Sequence, residues 1–320
     1  MTDSPVTPAD WRVPTTAMVL AAGLGTRLRP LTDVRAKPAI PVAGEPIIRR
    51  IVAWLARAGV TDVVVNLHHR PETIAAVLGE GGDLGVRVRY SWEQPVLLGS
   101  AGGPRLALPI LGAETFFLVN GDTLAEVNLA ALAQRHRDTG ARVTMAVAPN
   151  HDAMRYGGVR VNADGRAIGF TPRGAGAAGT RHFTGVQIVD ARVFQPLASG
   201  RPAATIGGVY DALLADTPGA IVTCETGAAF HDIGTPLDYI ATSRAFADDA
   251  TARPAGDTTH VHPSATLRDT ILWSDVRVGA GARLDGCIVT DGVIVPAGAE
   301  HHRAILMAGP HGDVRAVPLS

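Results

Sequence analysis

Apolar positions in the first half of the chain alternate between two kinds of segment. Short apolar runs indicate buried strands at 17–23, 62–67, 86–91, 115–122 and 142–149. Between them lie helical patterns at 46–60, 71–79, 103–111 and 128–138, clearest where Ile47, Ile51 and Leu55 share one face. This alternation implies βαβ crossovers. It predicts an α/β fold with a Rossmann-like mixed, mostly parallel sheet flanked by helices.

The pattern changes after residue 150. Residues 157–170 predict a hairpin that turns at Asp164-Gly165, because Asp-Gly favours the positive φ of tight hairpin turns. Residues 182–190, 208–219 and 220–226 then predict a strand, a helix and a strand. We interpret this half as a lid or a substrate lobe built onto the same sheet.

The C-terminus contains an internal repeat. Three rows of equal length, beginning at Val261, Val278 and Val295, align Ile271 with Ile288 and Ile305. Offsets near six within each row predict a three-sided parallel β-helix with one coil per row. A chance bias toward Val, Ala and Gly is the alternative. A β-helix this short would dock on the α/β part of the chain or mediate formation of a homo-oligomer.

These patterns divide the chain into four parts. We expect a flexible tail at 1–14, one α/β domain at 15–248, a polar linker at 249–259 and the β-helix at 260–320.

Composition narrows the function classes. The net charge of -1 gives no broad field for nucleic acid or an anionic membrane, so neither is an expected partner. No apolar run approaches the roughly 20 residues that span a bilayer, and the N-terminus does not resemble a signal peptide. Two distant cysteines do not form a disulfide framework. A cytoplasmic protein is expected.

The stretch Gly23-Leu24-Gly25-Thr26-Arg27 carries the clearest chemistry. Glycines allow positive φ and close backbone approach to an anion, Thr26 adds a hydroxyl donor, and Arg27 offers a fork for two phosphate oxygens. Lys37 follows in a proline-stiffened segment. The spacing fits neither a dinucleotide fold nor a P-loop. A tight turn with surface cations is the alternative interpretation.

The sequence from Leu20 to Pro38 resembles the signature of the sugar-1-phosphate nucleotidyltransferases, which form nucleotide-sugars. That family's pattern is roughly Gly-x-Gly-Thr-Arg-Leu-x-Pro-Leu-Thr followed by Lys-Pro, and every fixed position is present. The resemblance continues through VNGDT (119–123) and HDIGTPLDY (231–239). The repeated C-terminal rows are similar to the left-handed β-helix of several members.

The resemblance implies a role for each matching residue. A nucleoside triphosphate and a sugar 1-phosphate are the implied substrates, with Mg²⁺ as cofactor. Arg27, Lys37, Asp122 and Asp232 are the implied catalytic residues, and the two aspartates are also the implied metal ligands. The nucleotide would be bound by Leu20, Ala21, Ala22, Gly23, Gly25, Thr26, Glu93, Gly99, Ser100 and Ala101.

The choice of base and sugar rests on local similarity. LLGSAGGPRLA (97–107) is similar to the matching run of mannose-1-phosphate guanylyltransferases, with Glu93 or Gln94 at the base edge. Uridylyl transfer, including that to N-acetylmuramate 1-phosphate, and thymidylyl transfer are the alternatives. A non-catalytic regulatory subunit and a β-helical acyltransferase are two further ones.

The sugar-phosphate site departs from the family pattern. GFTPRG (169–174) lacks the usual Glu-Lys pair, so we expect Arg173, Arg181 or His182 to replace that lysine. The sugar-phosphate candidates are Gly158, Arg173, Thr184 and Gly185.

Overall fold

The computed structural model describes residues 12–125, 127–227, 230–247 and 258–319. Most of the expected tail (1–14) and linker (249–259) lies outside these residues, and the predicted domain boundaries stay a prediction. The described chain forms two compact units. Unit 1 comprises the described residues up to Gly23, Ile51–Pro71 and those of Leu78–His231, and unit 2 comprises Leu24–Arg50, Glu72–Val77 and the described residues of Asp232–Ser320.

The described helices are α1 (Ile47–Arg57), α2 (Pro71–Leu78), α3 (Gly99–Leu111), α4 (Leu129–Thr139), α5 (Tyr210–Asp216) and α6 (Pro236–Ala245). Five of the described helices match predicted ones, and α6 was not predicted. Helix α3 begins at Gly99, whereas the sequence predicted a start at residue 103. The first turn was missed because Gly102 and Gly103 weaken its helical signal in the sequence.

The strands up to Asp232 include every predicted one. They are β1 (Thr16–Leu20), β2 (Pro41–Val42), β3 (Glu45–Pro46), β4 (Asp62–Leu67), β5 (Arg87–Trp92), β6 (Thr115–Asn120), β7 (Thr123–Ala125), β8 (Val143–Pro149), β9 (Gly158–Val161), β10 (Ala167–Thr171), β11 (Arg181–Asp190), β12 (Ile221–Glu225) and β13 (Phe230–Asp232).

Unit 1 is built on a mixed sheet with the order β10-β9-β11-β6-β1-β4-β5. Off this path, β8 pairs with β11, and β12 pairs with β8. Strand β1 pairs in parallel with β4 and β6, whereas β11 is antiparallel to β6 and β8. The α/β fold class is therefore confirmed. Because β1, β4 and β6 are parallel, their carboxyl ends at Leu20, Leu67 and Asn120 lie at one edge of the sheet, where ligands bind in such folds.

The core of unit 1 explains the continuous apolar runs of its central strands. Met18 of β1, Val64 of β4 and Phe116 of β6 are fully buried and belong to one cluster with Ala107 of α3 and Tyr210 of α5. Strands covered on both faces need apolar side chains at every position, and this produces runs without alternation.

The predicted hairpin is β9–β10, and it turns at Asp164-Gly165. Gly165 has φ +75°, and the Asn162 side-chain oxygen accepts from the backbone N–H groups of Asp164 and Arg166. The turn therefore satisfies its own backbone donors.

The C-terminal β-helix (residues 260–308) confirms the repeat. Its strands are β14 (His260–Val261), β15 (Thr266–Arg268), β16 (Ile271–Leu272), β17 (Arg277–Val278), β18 (Arg283–Asp285), β19 (Ile288–Val289), β20 (Ile294–Val295), β21 (Glu300–His302) and β22 (Ala304–Ala308). They form three parallel ladders, and Ile271 pairs with Ile288, which pairs with Ile305, as the aligned rows predict. The left-handed sense stays a prediction.

A final strand, β23 (Val314–Pro318), pairs antiparallel with β22 and was not predicted. Val314 packs against the apolar core of the β-helix, which includes Leu284 and Leu306. The strand therefore covers an otherwise open ladder edge. None of the described helices combines the length and apolar character needed to cross a membrane.

His136 makes the stability of unit 1 depend on pH. Its ring lies on the buried face of α4, with Nδ1 2.8 Å from the Thr144 hydroxyl of β8. Burial lowers the pKa of His136 from 6.5 to about 4, partly offset by Asp190. Between these pH values the unfolded chain binds the proton and the folded chain does not. The free energy of unfolding should therefore fall by up to about 3 kcal/mol as the pH drops from 6.5 to 4.

Thermal unfolding between about pH 4.5 and 7.5 checks this prediction. His136→Gln removes the titrating ring, so the loss of stability at falling pH should become smaller. His151→Gln changes an exposed histidine of the same unit and should leave that loss unchanged. An equally steep decline in His136→Gln would contradict the assignment.

Candidate active site

In unit 1, the chain leaves β1 through a buried backbone segment. Ala21 and Ala22 are almost fully buried, and Gly23 is exposed. The N–H of Ala21 donates to the Asn66 side-chain oxygen at 2.7 Å. Asn66, at the end of β4, thus fixes the direction in which the glycine loop begins. Sequence reasoning missed Asn66, since a single polar residue in an apolar strand carries no motif.

Asn66 is one half of a buried pair with Glu93. Its side-chain N–H donates to Glu93 Oε1 at 2.6 Å, while Glu93 Oε2 accepts from the N–H of Leu98 at 2.7 Å. Nδ1 of His68 lies 2.7 Å from the Glu93 carbonyl oxygen. Glu93 is fully buried and both carboxylate oxygens are occupied. Its side chain holds the loop 93–98 in shape, and the expectation that Glu93 meets the base stays a prediction.

The first turn of α3 is also hydrogen-bonded within unit 1, and the nucleotide-binding role of Gly99, Ser100 and Ala101 stays a prediction. The N–H of Ala101 donates to the Ala203 carbonyl at 2.9 Å, so it is not directed at a base. The Ser100 hydroxyl accepts from the N–H of Thr205 at 2.9 Å. Gly99 has φ +76° and a Cβ there would lie 2.8 Å from the Ala203 oxygen, which explains the glycine. Ser100 and Ala101 therefore bind the 203–205 loop.

Asp122 follows β6 at the same edge of the sheet. Gly121 donates its N–H to the Leu20 carbonyl, and a Cβ at this position would lie 2.7 Å from that oxygen. Glycine is thus required for the chain to pass the end of β1. Asp122 is half-buried, and its Oδ1 accepts from the Thr123 hydroxyl at 3.3 Å.

The sugar-phosphate candidates also lie in unit 1. Thr184 and Gly185 occupy an irregularity in the β11–β8 pairing, where Gly185 has φ +84° and lies against the Asn120 side chain. The Thr184 hydroxyl donates to the Ala146 carbonyl at 3.1 Å, and its sugar-phosphate role stays a prediction. Gly158 is buried against Thr180, whereas Arg173 is exposed.

In unit 2, the glycine loop turns at Gly25. This residue has φ +60° and caps a short 3-10 helix at Thr26–Leu28. Gly23 could also adopt positive φ, but in the structure it does not. A Cβ at Gly25 would lie 2.7 Å from Thr32 Cγ2 and 3.3 Å from Lys37 Cβ. Thr26 and Arg27 follow this turn and are exposed.

Lys37 is the single lysine of the sequence, among 29 lysine and arginine residues. Its side chain is 8% exposed, and Nζ lies 3.8 Å from Oδ1 of Asp232, which is 17% exposed. A buried ammonium needs a compensating charge, and this carboxylate supplies it. The guanidinium of Arg27 and Oδ2 of Asp232 both border Gly234, within 3.5 Å of the position that a Cβ would occupy.

The motif around Asp232 is fixed by the start of α6. Thr235 caps the helix: its hydroxyl accepts from the N–H of Asp238, and the Asp238 carboxylate accepts from the N–H of Thr235. Pro236 fits the first helical position, where its missing N–H costs nothing. The conformation of the chain directly after Asp232 is thereby defined by local capping.

Unit 2 thus brings together the Gly25 turn, Arg27, Lys37 and Asp232. This arrangement is suited to binding a polyphosphate. Unit 1 holds Asp122 and the Asn66–Glu93 pair. Among the described residues, no group of three or more His, Cys, Asp or Glu side chains is arranged to hold a metal by itself. A metal at either aspartate would therefore need substrate or water oxygens as further ligands.

Solved structures share this fold. HddC from Yersinia pseudotuberculosis matches with a TM-score of 0.63 and 23% identity, covering 72% of this chain and 99% of that one. A putative glucose-1-phosphate thymidylyltransferase from Bacillus anthracis matches with a TM-score of 0.64 and 20% identity, covering 73% of this chain and 96% of that one.

Sequence comparison gives the family. A mannose-1-phosphate guanylyltransferase of Mycobacterium tuberculosis is 31% identical over 293 residues, covering 88% of this chain and 81% of that protein. An N-acetylmuramate alpha-1-phosphate uridylyltransferase of Neisseria meningitidis serogroup B is 44% identical over 118 residues, covering 37% of this chain and 51% of that protein. The family model for nucleotidyl transferases matches residues 16–249. The chain therefore belongs to the nucleotidyl transferase family and, within it, to the sugar-1-phosphate nucleotidyltransferases.

Proposed function

We propose that this chain transfers GMP from GTP to mannose 1-phosphate in a Mg²⁺-dependent reaction. The products are GDP-mannose and pyrophosphate. The observation that carries the proposal is the group in unit 2 formed by Arg27, Lys37 and Asp232 beside the Gly25 turn. The preference for guanine and mannose is supported by the Mycobacterium tuberculosis relative, which is similar along most of the chain.

The glycine loop and Arg27 bind the triphosphate. Thr26 is exposed and offers a hydroxyl donor, and the exposed guanidinium of Arg27 matches two phosphate oxygens at once. As the bond between the α-phosphorus and the bridging oxygen breaks, negative charge builds on the departing pyrophosphate. Arg27 stabilises that charge, which lowers the barrier of the chemical step.

Lys37 acts on the α-phosphate and the attacking oxygen. The phosphate oxygen of mannose 1-phosphate forms the new bond to the α-phosphorus, in line with the bond that breaks. Both partners are anions that repel each other. The ammonium of Lys37 reduces this repulsion and holds them in reacting geometry, so no covalent protein nucleophile is needed.

Asp122 and Asp232 are the candidate Mg²⁺ ligands. The donor set fits the ion, because Mg²⁺ prefers carboxylate oxygens, takes one or two of them, and completes its shell with phosphate oxygens and water. When bound, the ion would neutralise phosphate charge. Asp122 is half-buried and follows the sheet edge, and Asp232 additionally pairs with Lys37.

The Asn66–Glu93 pair supports base recognition indirectly. It fixes the backbone of Ala21, before the glycine loop, and of Leu98, before α3. The loops that carry these two residues therefore receive a base in a shape that is already formed. They do so with little loss of conformational freedom on binding.

Uridylyl transfer to N-acetylmuramate 1-phosphate is the second candidate. It is favoured by the 44% identity to the Neisseria enzyme, although that similarity covers only 37% of this chain. We also propose a cytoplasmic location and self-association through the C-terminal β-helix. The two free cysteines support the first proposal and the exposed Ile294 of that β-helix supports the second.

A substrate panel tests the proposal. Five nucleoside triphosphates are each combined with mannose, glucose and N-acetylmuramate 1-phosphates, and pyrophosphate release is measured. GTP with mannose 1-phosphate should give the highest kcat/KM, EDTA should abolish turnover, and Mg²⁺ should restore it. Fastest turnover with UTP and N-acetylmuramate 1-phosphate would replace the first candidate by the second.

Arg27→Ala should lower kcat/KM by roughly 100-fold or more, because a charge-stabilising donor is lost. The melting temperature should barely change, since the side chain is exposed. Arg29→Ala is the matched control: this neighbouring arginine is exposed and pairs with Asp33. Equal losses of activity in both variants would refute the specific role of Arg27.

Lys37→Arg should lower kcat by roughly 100-fold although the charge is kept. The larger planar guanidinium must enter a buried space where the Gly25 turn lies against the Lys37 side chain. Steady-state kinetics at saturating substrates measure the effect, and circular dichroism checks folding. Activity within about threefold of the native enzyme would show that charge alone is sufficient.

A further inference from the structure

Residues 35–41, which carry Lys37, are held at several points within unit 2. The N–H of Ala36 donates to the Thr73 hydroxyl at 3.0 Å, and the Tyr239 hydroxyl donates to the Pro41 carbonyl at 2.5 Å. The Arg35 guanidinium also donates to the Ala39 carbonyl at 3.3 Å. Lys37 lies between these contacts, so its backbone position follows from them.

Arg35 is bound by the C-terminal β-helix. Its Nε and Nη2 each donate to one oxygen of Asp291, both at 2.7 Å, and Nη2 also donates to the Ser274 hydroxyl at 2.9 Å. Asp291 is itself oriented, since its Oδ1 accepts from the N–H of Ser274. Ser274 and Asp291 occupy equivalent positions in successive coils. The side chains of Arg35 and Asp291 are 14% and 28% exposed, so solvent screens this pair only in part.

Trp273 connects the same β-helix to the other end of the segment. The Arg35 guanidinium lies 5.5 Å from the centre of the Trp273 ring, and the indole N–H donates to the Tyr239 hydroxyl at 3.0 Å. Burial raises the pKa of Tyr239 well above its usual value, so the hydroxyl keeps the proton that it donates to Pro41.

We propose that the C-terminal β-helix is part of the phosphate-transfer machinery, with Asp291, Ser274 and Trp273 acting through Arg35 and Tyr239 to position Lys37. The inference rests on the proposed role of Lys37. Arg35 and Asp291 are positioning residues, since neither is assigned a contact with substrate.

The chemistry of lysine explains why such support is needed. A lysine side chain has a flexible four-carbon stem and carries a point charge, so its direction is set by its backbone and by the walls around it. A displacement of about 1 Å in a reacting group can cost on the order of 100-fold in rate. A bidentate arginine–carboxylate pair two residues away fixes both position and orientation.

Asp291→Asn and Glu300→Gln form a matched pair of variants on the β-helix. Each removes one negative charge without a large change of shape, but Glu300 pairs with Arg283 on the exposed surface. Asp291→Asn should lower kcat by about 10- to 100-fold with the KM for the triphosphate within about threefold. Glu300→Gln should behave as the native enzyme. Equal kcat values in the two variants would overturn the proposal.

Arg35→Lys provides a second variant, because it keeps the charge and loses the bidentate contact. It should reproduce the loss of kcat seen in Asp291→Asn, with melting temperatures recorded for all variants. A native kcat in folded Arg35→Lys would count against positioning through this pair.

Chemical labelling separates this inference from the proposed function. Because Lys37 is the only lysine, an acetylating reagent modifies one ε-amino group, and mass spectrometry follows its rate. The rate should change about threefold or more in Asp291→Asn and not in Glu300→Gln. If the native enzyme turns over no substrate pair but this difference is found, the proposed function fails and the positioning stands. If the native enzyme turns over its substrates but both variants have the same labelling rate and the same kcat, the proposed function stands and the positioning fails.

Discussion

A buried ammonium paired with a carboxylate is the constraint on which unit 2 depends. Lys37 and Asp232 are far apart in the sequence, and both side chains are mostly removed from water. An ion in such a place is stable only if its partner is held at close range, so both chain segments must be fixed. The capped start of α6 fixes the segment of Asp232, and Tyr239 of that helix reaches back to Pro41 beside Lys37.

In unit 1, the main constraint is to provide hydrogen-bond partners for the backbone at the ends of the parallel strands. Where parallel strands end, the backbone loses its ladder partners, and buried N–H groups need other acceptors. Asn66 and Glu93 supply them to Ala21 and Leu98, and Gly121 reaches the carbonyl of Leu20. The edge of the sheet is thereby ordered before any ligand arrives. Polar side chains in this region thus serve the backbone first, which is why Glu93 and Ser100 are occupied internally.

The sequence predicted what depends on local pattern. Strand and helix alternation, the Asp164-Gly165 turn and the register of the C-terminal repeat are local or periodic, and the structure contains each of them. The contacts of Asn66, Arg35 and Asp291 could not be predicted, because each joins residues distant in sequence and none belongs to a periodic pattern. The start of α3 was missed for an opposite reason: its glycines favour a loop locally, yet packing against the 203–205 segment makes them helical.

The stacked arrangement of Ser274 and Asp291 limits how this chain can change length. Both partners of Arg35 lie one coil apart, and the ladders advance by one rung with each coil. An inserted or deleted coil between them would shift Asp291 by one full rung and leave Arg35 without its carboxylate. Coils added beyond Asp291, before β23 closes the edge, would leave the pair untouched. The far end of the β-helix can therefore gain repeats without disturbing the contacts of Arg35, while its first two coils are constrained to a fixed length.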